Sequence, residues 1–142
     1  MAGYSGTPLA KKLGIKEDFR ASLLHVPLEV KTELRDAFKK CKILNLQGAN
    51  LDFIFLFVKS RAALELDLMP AAKTLAPTGM LWVSWPKKSS GVVTDLTEDV
   101  IRGSGLDAGL VDVKVCAVTE VWSGLKFVIP VKNRPKMKWN KV

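Results

Sequence analysis

Residues 51–58, LDFIFLFV, restrict the fold more than any other stretch of the chain. Successive side chains of a strand point to opposite faces, and here both sets of positions are apolar apart from Asp52. Such a strand has to be covered on both sides, which is the environment of a central strand in a parallel sheet. It is too short to span a bilayer, which takes roughly 18 apolar residues, and it stops at Lys59. No longer apolar run occurs, so no membrane partner is expected.

The flanking segments read as alternating helices and strands. Thr7 before Pro8 marks a helix start, and Gly14 marks its end, which predicts a short helix over residues 8–13. Phe19–Val26 is apolar and stops at Pro27, which cannot continue a central ladder. Val30, Leu34 and Phe38 recur at helical spacing among charged neighbours and predict one amphipathic helix over residues 28–39. A brief strand is expected at Ile43–Leu46, followed by a turn at Gln47-Gly48-Ala49-Asn50. After the central strand, Ser60 caps a helix carrying Leu64, Leu68 and Leu75, with a kink or a break expected at Pro70. Pro77-Thr78-Gly79 then reads as a turn into a strand at Met80–Trp85, closed by Pro86. Trp82 and Trp85, three apart, should face opposite ways, one under a helix and the other placed to cover a pocket.

Lys87–Val93 reads as a loop, and Thr94 or Asp95 as the cap of a helix through Leu96, Val100 and Ile101; Asp95 and Glu98 have capping-box spacing. Two runs at 111–117 and 122–129 are too close in sequence for a parallel crossover, so they must pair as an antiparallel hairpin. The order is that of a three-layer α/β, Rossmann-like sheet, mostly parallel, with an antiparallel hairpin at its C-terminal end. Residues 1–131 are expected to form a single α/β domain and residues 132–142 a basic tail. At 142 residues such a domain buries about 70% of the surface of its unfolded chain, so no disulfide or metal staple is needed.

The chain carries 22 basic and 14 acidic residues, a net charge of +8. Lys132, Arg134, Lys136, Lys138 and Lys141 supply five of those charges, leaving +3 for everything before them. A nucleic-acid reading therefore rests on a short tail, and basic ends more often serve solubility, so nucleic acid is not an expected partner. Met1–Thr7 lacks the basic and apolar stretches of a secretory signal, and Cys41 and Cys116 lie far apart with no metal spacing. Both thiols are expected to be buried, and the cytoplasm is the expected location.

The half of the chain from LDFIFLFV through LAPTGMLWVSW to the closing hairpin resembles the second half of the S-adenosylmethionine-dependent methyltransferase fold. That resemblance implies a cofactor held by a glycine-rich turn after the first strand and a carboxylate after the second. Here the first turn is Leu24-His25-Val26-Pro27-Leu28 and the second strand ends at Gln47-Gly48, so neither requirement is met and no cofactor is expected. YSGTPLAKKLGI at 4–15, LWVSWPKKSSG at 81–91, TDL at 94–96, and GLVDVKVCAV with WSGLKFV between 109 and 128 are similar to a small bacterial family of unknown function. That similarity implies membership and brings no activity with it.

The candidate site is the loop after the 80–85 strand. Lys87, Lys88, Ser89, Ser90, Thr94 and Asp95 place two ammonium groups, hydroxyls and a helix start at the ligand edge of a parallel sheet, a group suited to an anion. Trp122-Ser123-Gly124 and Lys126 join them if the hairpin packs beside that strand. The single histidine, His25, ends the first strand, where an acid or base role or a structural hydrogen bond are both open. Arg102 should pair with Asp95 or Asp99, the alternative being that it reaches an anionic ligand. No nucleophile elbow, phosphate loop or metal motif is present, so no catalytic residue is assigned. The function expected is a non-catalytic module for a small anionic ligand or a protein partner. The alternatives are a divergent transferase using a nucleotide-like cofactor, and nucleic-acid association through the tail.

Overall fold

Leu51–Phe57 is a strand whose side chains are all buried except that of Asp52, which is half-buried. The computed structural model, which describes residues 8–46 and 50–134, builds its other elements around that strand. In chain order they are α1 (Leu9–Leu13), β1 (Arg20–Leu24), α2 (Leu28–Glu33), α3 (Arg35–Lys39), β2 (Lys42–Ile43), β3 (Leu51–Phe57), α4 (Arg61–Lys73), β4 (Leu75–Pro86), α5 (Glu98–Asp107), β5 (Val111–Ala117) and β6 (Trp122–Val128).

The described strands form one sheet in the order β2-β1-β3-β4-β6-β5. The first four are mutually parallel, and β6 runs antiparallel to both β4 and β5. This is the mostly parallel sheet with a reversed hairpin that the sequence predicts. Asp52, the one polar residue in β3, is accommodated because its Oδ2 accepts the Arg20 backbone N–H at 2.9 Å where β1 begins.

The two faces of β3 seed two cores. Ile54, Leu56 and Val58 pack with Leu64 and Leu68 of α4, Ile101 of α5, and Trp85. Phe53, Phe55 and Phe57 face the other way, with Val30, Leu34 and Phe38 of α2 and α3, Leu13 of α1, and Trp82. The aromatic side continues as a row of edge-on and tilted rings: Phe53 to Phe55 at 5.7 Å, Phe55 to Phe57 at 4.7 Å, and Phe57 to Trp122 at 4.9 Å between ring centroids. Burial of one such ring contributes about 1.5–3 kcal/mol, so this row is a large share of the core. The two tryptophans fall on opposite faces as expected. Trp82 lies under α1 and donates its indole N–H to the Leu13 carbonyl at 2.9 Å.

Several boundaries differ from expectation. The 28–39 helix divides at Leu34 (φ −98°, ψ 9°), yet Leu34 N–H still reaches Val30 O and Phe38 N–H reaches Leu34 O, both at 3.0 Å, so the apolar face is preserved. Conversely, α4 runs through Pro70 without a break. Pro70 lies on the exposed side, where water can take the carbonyl that the missing N–H would have bonded. The Pro77-Thr78-Gly79 turn is instead a wide bulge inside β4: Leu75 pairs with Leu51, pairing resumes at Met80 with Phe53, and the intervening residues stand against Asp52 alone. Gly79 is required there, since a Cβ would run into the Leu51 carbonyl oxygen. The second strand is shorter and earlier than Ile43–Leu46, the first ends at Leu24, and Thr7 and residues 47–49 lie outside the described residues. Cys41 and Cys116 are free and only half-buried, and burial pushes both thiols above the ordinary cysteine range.

Helix α5 approaches the sheet through Gly105, where an added Cβ would fall inside the Phe127 ring, whereas Gly103 on the same helix faces open space. Gly105→Ala should therefore lower stability by about 1–3 kcal/mol through overpacking. Gly103→Ala should raise it by roughly 0.5–1 kcal/mol through helix propensity. Chemical denaturation of the two variants gives both signs, and a neutral Gly105→Ala would show that α5 does not sit this closely on β6.

Candidate functional site

From β1 the chain passes outward to β2, and from β3 it passes the other way to β4, so the sheet's direction of winding reverses between β1 and β3. In an open parallel sheet the segments leaving two such strands diverge to opposite faces and leave a crevice at their carboxyl ends. A cavity of about 650 Å³ occupies that position, lined by His25 and Glu29 after β1, Lys59 after β3, and Asp67 of α4 over an aromatic floor of Phe57 and Trp122.

Each polar group arrives by a local device. His25 adopts left-handed backbone (φ 61°), turning the chain sharply out of β1. Pro27 then caps α2 and brings Glu29 into its first turn. Ser60 caps α4 by accepting the Ala63 N–H at 3.1 Å, which orients the helix so that Asp67 looks back across the crevice. Asp67 Oδ2 lies 3.2 Å from His25 Nε2, joining α4 to the end of β1; the imidazole is 66% exposed and the carboxylate 24%. His25 thus stands within ion-pair distance of Asp67 and also lines the crevice, and proximity in sequence gave no sign of Asp67, 42 positions away.

The sequence-predicted loop borders a second cleft of about 450 Å³, lined by Trp85, Lys87, Lys88, Thr94, Asp95 and Ser123 among others. Lys88–Ser90 form one turn of 3₁₀ helix closed by Gly91 in left-handed conformation (φ 81°). Ser90 is spent on this turn: its hydroxyl donates to Lys87 O at 2.6 Å and accepts from Val92 N–H. Thr94 and Asp95 do not cap the next helix. Thr94 donates to Lys59 O at 2.6 Å, and Asp95 Oδ1 accepts the Arg61 N–H at 2.9 Å. The unpaired amide in the first turn of α4 is the nearer partner for that carboxylate, so the pair staples the loop to α4. Helix α5 begins three residues later, with Thr97 accepting the Val100 N–H at 3.2 Å. Lys87 and Lys88 remain without an ion-pair partner among the described residues. Trp122 and Ser123 do come beside the loop, opposite Pro86 and Trp85, whereas Lys126 lies farther along β6 opposite Trp82. Arg102 pairs with Asp99 as expected but also with Glu98 and Asp112, and not with Asp95. Val92 lines both clefts, so the two adjoin.

No family model matches the chain, and no curated protein does. Among solved structures it resembles S-adenosylmethionine-dependent methyltransferases. Against precorrin-6y C5,15-methyltransferase from Geobacter metallireducens GS-15 the TM-score is 0.57 at 9% identity, covering 86% of each chain. Against magnesium protoporphyrin IX methyltransferase from Synechocystis PCC 6803 with bound S-adenosylhomocysteine it is 0.57 at 12% identity, covering 86% of this chain and 78% of that one. The fibrillarin pre-rRNA processing protein of Methanococcus jannaschii gives 0.51 at 13% identity, with 87% and 69% covered. At these identities the likeness is one of fold: the chain has a Rossmann-like, methyltransferase-like fold.

The turn after β1 does not fit the glycine-cradled cofactor mode that this fold implies. Close approach of a ligand to the backbone needs a turn without side chains, and here His25 stands in left-handed conformation with its ring carried across to Asp67. Pro27 has no N–H to offer, and Leu44, Asn45 and Leu46 after β2 include no carboxylate. The acidic groups of the crevice are Glu29 and Asp67 instead.

A non-glycine residue in left-handed backbone costs roughly 1–2 kcal/mol. His25→Gly should consequently be more stable than His25→Ala by about 1 kcal/mol, read from urea midpoints. Equal midpoints would mean that the turn relaxes and that His25 holds no strain.

Proposed function

We propose that the protein is a divergent transferase that seats two ligands side by side, a nucleoside-bearing one in the β1/β3 crevice and a small anion over Lys87 and Lys88. The adjoining of the two clefts at Val92 carries this reading, because group transfer requires two reactants held within reach of each other. In the crevice, the edge-to-face Phe57 and Trp122 rings offer a surface for a flat heterocycle. Glu29 and Asp67 are acceptors for sugar hydroxyls, and Lys59 is a cation for an acidic group. In the second cleft, Lys87 and Lys88 supply charge and Ser123 a hydroxyl; Thr94 and Asp95 line it with side chains already bonded to Lys59 O and the Arg61 N–H, and Ser89 and Ser90 are not among its lining residues.

A non-catalytic module that binds only an anion would use the second cleft alone. Its support is the unpaired state of Lys87 and Lys88, and it leaves the larger crevice without a role.

Thermal-shift titration with adenosine, S-adenosylhomocysteine and inorganic phosphate separates these readings. A ligand at about 100 times its Kd stabilises by about 2.7 kcal/mol, enough to raise the melting temperature by several degrees. Asp67→Ala should weaken adenosine binding by about tenfold or more, the loss of one charged hydrogen bond. Lys87→Ala with Lys88→Ala should remove the phosphate shift and leave the adenosine shift intact. Silence from both nucleosides would defeat the two-ligand reading, and a phosphate shift that survives the lysine substitutions would remove the loop from the site.

A further inference from the structure

The sheet face turned away from α5 holds a concentration of charge that neither cleft uses. Lys114 of β5 and Lys126 of β6 are direct cross-strand partners, and they share the face of Trp82, which is opposite Lys126 on β4. Lys12 of α1 reaches the end of β5, its Nζ donating to the Ala117 carbonyl at 3.3 Å. None of the three lysines has an ion-pair partner among the described residues. The acids of this region gather on the other face, where Glu98, Asp99 and Asp112 surround Arg102.

Like charges directly opposite on adjacent strands destabilise a sheet, and removing part of their water strengthens the repulsion. Burial, and then the neighbouring Lys114, hold the Lys126 ammonium below the ordinary lysine range. The cluster is relieved by an anion that spans several amines at once. The surface is open, and beside Lys114, Cys116 and Lys126 its side chains on the outer two strands are the half-buried Val111 and Val128 and the buried Trp122, with no exposed aromatic anchor of the kind that protein interfaces are built around. Charge without an exposed aromatic anchor suits a chain of phosphates, which is held by charge and not read by sequence.

We propose that Lys12, Lys114 and Lys126 form a docking face for the phosphate backbone of a nucleic-acid strand. This face is separate from the crevice, so its fate is independent of the two-ligand reading.

The test is fluorescence anisotropy of the full chain with a labelled 20-base-pair DNA duplex over a series of salt concentrations. Three neutralised phosphates give a slope of log K against log salt of about −2.7, and Lys114→Glu with Lys126→Glu should reduce its magnitude by about two. Lys12→Glu alone, outside the sheet, should reduce it by about one and guards against a strand variant that fails to fold. Replacing Lys136, Lys138 and Lys141 by Ala should leave the effect of the sheet substitutions in place, and Asp67→Ala should change nothing. Absence of duplex binding at low salt, or a slope untouched by both the sheet and the Lys12 substitutions, overturns the proposal. Equal affinity for polyglutamate, lost in the same variants, also overturns it by making the partner an acidic protein segment.

Discussion

Burial of β3 on both faces is the constraint from which the rest of the fold follows. Six of its seven side chains are withdrawn from water, and no single layer of helices can cover both rows. The chain therefore places α4 and α5 over Ile54 and Leu56, and α1, α2 and α3 over Phe53, Phe55 and Phe57. A strand covered in this way has to find hydrogen-bond partners along both edges, and β1 and β4 supply them in parallel register. Because β1 leads outward to one side and β3 to the other, the same arrangement opens a crevice at their ends. The cavity is thus a consequence of how the core is satisfied.

What lines that crevice departs from what the fold ordinarily places there. A glycine turn lets a ligand lie against bare backbone; His25 replaces it with a side chain, held in left-handed conformation and tied to Asp67. Strain in a non-glycine turn persists where the surroundings over-determine it, and here the continuation into Pro27 and the contact to α4 do so. The fold has kept the crevice while changing the groups that line it.

Much of the architecture was legible because it depends on local periodicity. The double-faced β3, the amphipathic 28–39 segment, the opposed Trp82 and Trp85 and the closing hairpin all follow from which residues are apolar and how they are spaced. Pro70 and Pro77-Thr78-Gly79 misled in opposite ways. A proline on the wet side of a helix is tolerated, and a turn signature inside a strand is used as a bulge where Gly79 lets β4 pass the Leu51 carbonyl. Thr94 and Asp95 read as a helix cap because the helix was near in sequence, whereas the open N-terminus of α4 was nearer in space.

The sequence by itself determined the layering, the parallel core and the loss of the glycine turn, since each is carried by residue types at fixed spacing. Only the tertiary structure decided that His25 meets Asp67, that Asp95 serves α4, that two clefts adjoin at Val92, and that Lys12, Lys114 and Lys126 share one face. Those pairings join residues far apart along the chain. Side-chain chemistry says what each group can bond, but the packing of helices on the two faces of β3 sets which groups come within reach.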